Sequence, residues 1–425
     1  MNYKFLLLLF STLLAFSCND EQAAGPGDAS TYIKFFGAEN ADLAHMSQQT
    51  PDGGSVLLGS TEVLNDEGIS TFKIKVIKVD KNGNQLWQKI YPDFDEDPDG
   101  LISLTGRSII TVDDGYIIVG DSIQSNGVTN NNSLLLMRIN DSATDNSFEF
   151  TALNYQNLTG ESSRYNVIGL DIIQDTDGNF RIISNVVDRN TVIGTIFSKI
   201  NTDFSFDLND CNYEFAGNLA LVKSLHETSD GNFIFGGTNR STSIDNSVLR
   251  RVPACFNNQS GGSDNLVSNP TNNYTAGQII STNIGYAMVG TNVTGSGQTD
   301  VFFALFNSDG GVRNNSLKLY NSVDEFDGIG DRDALGLTIA NTNDGGYIIG
   351  GQTLEDTAGE EDILLIKTDA LGNIQWTQVI GNANQERATH IQQAADGGFL
   401  IFGNTKFGGI DTMVLIKTDK DGNIN

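Results

Sequence analysis

The chain has 425 residues, with 46 Gly, 6 Pro, and 53 acidic against 25 basic side chains, a formal charge of −28. That length holds two or three ordinary domains or one large repeat assembly. The charge argues against nucleic acid and anionic lipid headgroups as partners, and suits cations, basic surfaces or plain solubility.

At the N-terminus Lys4 precedes an apolar run, Phe5 to Phe16, interrupted only by Ser11 and Thr12. A bilayer span takes ~20 residues, so this run reads as a targeting segment and not as a spanning helix. It ends in LLAFSCND, with Cys18 behind Ser17 and Ala15. This resembles the lipobox of bacterial lipoproteins, which implies cleavage before Cys18 and lipidation on it. Plain secretion with cleavage nearby is the alternative. Residues 1–17 are then a signal peptide, and residues 18–31, small and polar with Gly and Pro, a flexible tether. Asp20 and Glu21 resemble the surface-export signal of Bacteroidota lipoproteins. The expectation is an outer-membrane lipoprotein facing the periplasm or the cell surface, a monomer that touches the membrane through its lipid only.

The remainder, 32–425, is a ladder of Asp-Gly turns. The anchors Asp52, Asp114, Asp177, Asp230, Ile284, Asp344 and Asp396 are spaced by 62, 63, 53, 54, 60 and 52 residues. Seven units of this size call for a repeat architecture. Each unit opens with a semi-polar strand, as in HIQQAA (His390 to Ala395), followed by an Asp-Gly hairpin turn. A second strand such as Tyr347 to Ile349 leads into a variable polar loop. The third strand is an apolar run closed by a basic residue, as in ILLIK (Ile363 to Lys367) and MVLIK (Met413 to Lys417). A second turn, DALGN or DKNGN, leads to a fourth strand with an early aromatic residue, Trp87 or Trp376.

The apolar runs have strand length and do not alternate, so both faces should be buried. Four antiparallel strands per unit, repeated seven times, predict an all-β, seven-bladed β-propeller. The ends predict how it closes. The last unit stops at GNIN, where the preceding unit continues from GNIQ into Trp376. The missing strand matches the start of the ladder: Tyr32, Gly37 and Asn40 correspond to Trp376, Gly381 and Asn384. Tyr32 to Gly37 should therefore pair with Met413 to Lys417 and remove the free edge at the seam. The units resemble the DGGY-type propeller repeats of exported Bacteroidota proteins, most clearly in units one, six and seven.

Function is less legible. The loop rim opposite the turns is acidic, with Asp93, Asp95, Asp97 and Asp99 in one loop and Glu360, Glu361 and Asp362 in another. Such oxygen clusters suit Ca²⁺, although charge runs are more often solvated faces. DKNGN and DKDGN begin like EF-hand loops, but the twelfth residue from Asp80 is Tyr91, so they read as hairpin turns. The pattern D-x-x-G-x-x-x-W resembles the docking repeat of quinoprotein propellers, yet only Trp87 and Trp376 are present and no redox Cys pair is recognisable. His45, His226 and His390 all lie in first strands and could face the central channel, at differing offsets from their turns. Cys211 and Cys255 fall in the same segment of adjacent units and are candidates for a disulfide in an exported protein. No catalytic signature is present. The favoured expectation is a non-enzymatic scaffold presenting its acidic rim to a protein or glycan, with no cofactor unless Ca²⁺. The alternatives are a glycan hydrolase or lyase using acids at the channel mouth, and a calcium-stabilised structural module.

Overall fold

The computed structural model describes residues 31–424 except 38–39, 66, 93–96, 98–100, 125–131, 143, 145–147, 162–164, 207–212, 217–218, 222–223, 241–243, 256–262, 269–270, 321–332, 355–360 and 382–383. Seven antiparallel sheets follow one another along the chain, hydrogen-bonded in sequence order except that the chain's first strand is the outer strand of the last sheet and the inner strand of the fourth is in two pieces. They are the seven blades. Blade 1 consists of Asp42–Gln49, Ser55–Leu64, Ser70–Val79 and Gln85–Tyr91, counted from the channel outwards. No described helix is long and apolar enough to cross a membrane.

The closure is the one expected. Tyr32–Phe36 is the outer strand of blade 7, antiparallel to Ile410–Lys417, with Tyr32 opposite Lys417 and Phe36 opposite Met413. Strands extend further than their apolar cores suggest. The inner strand of blade 7 is Glu386–Gln393, and blade 6 has its second strand at Tyr347–Leu354 and its third at Glu361–Thr368. The extra residues are largely polar or glycine, as expected where the sheet nears a rim.

Non-alternating runs bury both faces because each blade is packed between two others. On the third strand of blade 1, Ile74 and Val76 join a cluster with Leu104, Ile109 and Tyr116 of blade 2. Ile77 and Val79 point the other way, into Phe402, Met413 and Leu415 of blade 7. The core thus lies in the seams between sheets.

In blades 1, 4, 6 and 7 the basic residue that ends the apolar run pairs with the turn. Lys78, Lys367 and Lys417 pair with Asp52, Asp344 and Asp396 of their own blade's turn at 3.0, 2.8 and 2.8 Å, and Arg251 pairs with Asp230. A threonine two residues before Asp52, Asp230 and Asp344 donates to the same carboxylate. Bonds from Thr50 and then Gly54 and Lys78 hold Asp52 at about 2. Asp230 is held at about 2 by Thr228 and Arg251. Burial pushes Asp344 up, but bonds from Lys367 and Thr342 outweigh it and leave it at about 2.

The second turns are clamps between blades. Asp80 accepts from the N–H groups of Asn82 and Asn84, both at 2.8 Å, and Asp369 and Asp419 repeat the arrangement. Their carboxylates are thus engaged by the turn itself. The glycine of each of these turns lies against an aromatic ring of the preceding blade. Gly83 faces Tyr32, Gly422 faces Trp376, and Gly372 faces Phe303 with the Tyr320 hydroxyl beside it. Tyr320 also donates its hydroxyl to the Gly372 carbonyl at 2.7 Å.

Candidate functional site at the channel ring

Six inner strands slip register at the same place. The shifts fall between Ala44 and Met46, Gly106 and Ser108, Gly169 and Asp171, Ala276 and Gln278, Gly336 and Thr338, and Ala388 and His390. Each leaves one extra residue: His45, Arg107, Leu170, Gly277, Leu337 and Thr389. A β-bulge re-aims that residue out of the regular pleat. All six are half-exposed. They sit mid-strand on the innermost strands; Leu170 packs against the seam core of blades 3 and 4, and a Cβ on Gly277 would meet the Gly336 carbonyl of blade 6. In blade 4 the inner strand is split into Leu219–Leu221 and His226–Glu227, with a slip of two in register. Lys223 has the corresponding place in the sequence and lies outside the described residues.

Local sequence explains the bulge. The residue before it is always Gly or Ala, because the neighbouring blade is close. A Cβ on Gly106 would lie 2.8 Å from the Leu58 side chain, and one on Gly336 would collide with the Gly290 carbonyl. The residue after the bulge ties its blade to the next. Asp171 accepts from the Leu225 N–H at 2.8 Å, Gln278 from Ile339 at 3.0 Å, and Thr338 from Ile391 at 3.2 Å. Ser108 and Thr338 also donate to Asp171 and Gln278, both at 2.7 Å. These bonds form a girdle around the channel.

Blades 1 and 2 treat one position differently. In blades 4, 5 and 7 the second-strand residues Thr238, Thr291 and Asn404 accept an inner-strand N–H of the next blade, at 3.0, 3.3 and 3.0 Å. The corresponding Ser60 and Asp121 turn to the bulge of their own blade. Ser60 holds the His45 Nε2 at 2.9 Å, and Asp121 takes the Arg107 Nε at 2.8 Å. The Asp121 side chain is only 4% exposed and the Arg107 side chain 32%, so a buried carboxylate aims a solvent-facing guanidinium. Asn132 donates to the second Asp121 oxygen at 3.0 Å. On the other flank Thr389 donates to the Phe402 carbonyl at 3.0 Å. An imidazole, a guanidinium and a hydroxyl thus stand on consecutive blades at one level.

The three histidines occupy three different positions. His45 is a bulge residue. His390 follows its bulge and belongs to the girdle, at 3.0 Å from the Ser47 hydroxyl of blade 1. His226 donates to the Ile279 carbonyl of blade 5 at 3.0 Å. Burial depresses the His226 pKa against the opposing pull of that bond and of the Asp171 charge. No group of three or more His, Cys, Asp or Glu that could hold a metal ion exists among the described residues.

Of the residues considered for Ca²⁺, Asp93, Asp95, Asp99 and Glu360 lie outside the described residues. Asp97 is buried, ion-paired with Lys73, and accepts the N–H groups of Leu101 and Ile102 at 3.1 Å each. Glu361 accepts from Gln352, and Asp362 is buried at the start of its third strand. Cys255 is disulfide-bonded, whereas Cys211 and Cys18 lie outside the described residues.

Arg107, Ser60 and Asp121 were not singled out from the sequence. The signal that finds Arg107 is positional: the bulge residue is always seven before the turn anchor, from His45 before Asp52 to Thr389 before Asp396.

No protein-family model and no curated protein sequence matches the chain. Among solved structures it is similar to the polysaccharide lyase Uly1, with a TM-score of 0.51 at 10% identity over 94% of both chains. It is also similar to an ulvan lyase described as a new family of polysaccharide lyase, with a TM-score of 0.54 at 9% identity, covering 92% of this chain and 97% of that one. The same lyase bound to -[GlcA(1-4)Rha3S]- gives a TM-score of 0.51 at 9% identity, with the same coverage. At these identities the likeness establishes a shared propeller fold.

Proposed function

We propose that this chain is a glycan-active propeller whose working surface is the channel ring. His45 serves as the proton-transfer group, and the Arg107–Asp121 pair orients the sugar. The observation that carries this reading is the departure of blades 1 and 2, where Ser60 and Asp121 hold ring side chains. Glycan cleavage needs a proton donor or acceptor beside the scissile bond, and an imidazole serves both roles near neutral pH. The full-length likeness to propeller polysaccharide lyases supports the reading at the level of scaffold.

The test is turnover on a panel of neutral and acidic polysaccharides. New reducing ends, and ultraviolet absorbance of unsaturated uronate, report hydrolysis and elimination. The reading expects product from at least one polysaccharide, lost in H45A at unchanged melting temperature. Product formed equally well by H45A would remove the assignment of His45. A second reading, glycan capture without cleavage, is favoured by the engagement of His390 and Arg107 in bonds of the protein frame. It expects binding with no product.

We also propose that the chain is tethered to the outer membrane through a lipidated Cys18. Support comes from the apolar run and LLAFSCND. Fractionation tests it: C18A should leave the membrane pellet and appear in the soluble fraction.

A further inference from the structure

One corner of blade 7 is apolar where other blades are polar. Its second and third strands, Phe399–Phe407 and Ile410–Lys417, are joined by Gly408 and Gly409 alone, with Phe407 paired to Ile410. The same connection holds Asn65, Asp66 and Glu67 in blade 1, Arg189 and Asn190 in blade 3, and Glu355, Asp356 and Glu360 in blade 6. In register Phe35 stands opposite Val414, and Val414 opposite Gly403. Phe35 therefore shares a sheet face with Gly403 and with Phe407 further along the same strand. Ile33 and Ile410 lie on that face too. Ile33, Phe35, Phe407 and Ile410 are 42, 50, 44 and 39% exposed, and the rings of Phe35 and Phe407 meet edge to face with centroids 5.1 Å apart. Neither Tyr32–Phe36 nor Phe399–Phe407 carries an acid, although the chain has 53.

The chain that leads into this corner points to its partner. Tyr32–Phe36 is the first strand, and only residues 19–31 separate it from Cys18. Fully extended, they reach at most about 45 Å. A lipid on Cys18 thus keeps the corner close to a bilayer, and a contact made beside a tether is effectively intramolecular, so a patch too small to bind alone still engages. Apolar side chains at a hairpin tip suit the boundary between headgroups and acyl chains. The net charge of −28 repels an anionic surface but not an uncharged one.

We infer that Ile33, Phe35, Phe407 and Ile410 rest in the surface of the bilayer that holds the lipidated Cys18. This rests on the lipid-anchor reading above and adds to it a second, apolar contact and an orientation. The propeller stands on the outer corner of blade 7, not on a channel mouth. The full-length lipidated chain is tested in zwitterionic vesicles with brominated acyl chains, which quench tryptophan on contact. Against the background of Trp87 and Trp376, F407W and F35W should each add an emission that shifts to the blue and is quenched, at low and high salt alike. L266W, on the outer strand of blade 4 at the far side of the ring, replaces a residue 46% exposed and should add an emission that is not quenched. Equal quenching of the three labels, or of none, in a chain that sediments with the vesicles would overturn the inference and leave the anchor intact. So would quenching lost in high salt, the mark of attraction through Lys34 and Lys406. A blue shift that grows with protein concentration in the absence of vesicles would put a second copy on the patch and overturn it as well. A chain whose mass shows no lipid would remove the anchor reading and the inference with it.

Discussion

Single residues account for the repeat's most visible letters. In blades 1, 4 and 6 the Asp of the turn accepts from a threonine and a basic head group at once. Lys367 is 5% exposed and its partner Asp344 53% exposed, so the carboxylate meets both the lysine and solvent. The sign of the pH effect follows. Asp52, Asp230 and Asp344 titrate at about 2 in the fold against an ordinary 3.8. Their stabilisation is complete above the unfolded value and drains away as pH falls from about 4 toward 2. D344N should therefore melt below the native chain at neutral pH, and the gap should close over that window. A gap that stays constant down to pH 2 would show that the charge does not matter there. The glycines of the second turns do a separate job. Gly83 and Gly68 share a left-handed backbone, with φ of 75° and 76°, but only Gly83 has a neighbour, since a Cβ there would sit 2.5 Å from the Tyr32 ring. G68A should pay only the backbone cost, about 1–3 kcal/mol. G83A should lose more, and the difference in urea midpoint between the two measures the ring contact.

At the scale of the strand, the bulge does two jobs with one inserted residue. It sets one residue out of the regular pleat and lines up its successor with the next blade's N–H. Thr338 shows the energetics. It accepts from Ile391 and donates to Gln278, and it is buried. T338V keeps the shape and removes both bonds, leaving the Ile391 N–H without this acceptor. A loss of about 1–3 kcal/mol is expected in equilibrium unfolding. A neutral outcome would mean that the girdle is incidental to stability. These devices were invisible in the sequence for a physical reason. Apolar periodicity reports which face is buried, and an inserted residue in a semi-polar strand leaves no apolar trace. The turns and third strands were legible because φ > 0 demands Gly and two-sided burial demands Ile, Leu and Val. The ring demands no residue type, so His45 and Arg107 stand where others carry Leu170 or Gly277. The histidines were visible as histidines, but only the register separates a bulge position from a girdle position.

For the whole molecule, the decisive feature is that the chain's two ends make one blade. This is legible in the sequence, because Tyr32 and Gly37 repeat the spacing of Trp376 and Gly381. The structure pairs Tyr32–Phe36 with Ile410–Lys417 and sets Tyr32 over Gly83 of blade 1. Phe36 is buried with Met413, Leu57 and Phe402, so the strand reaches the seam core as well as covering an edge. Closure also sets blade 7 against blade 1, where the Ser47 hydroxyl meets His390 across the seam. The most direct measurement compares the melting of a chain that begins at Thr31 with one that begins at Gly37. The account predicts a clearly lower and less cooperative transition for the shorter chain, with faster amide exchange at Met413 to Lys417. Identical melting and unchanged exchange at those residues would contradict it.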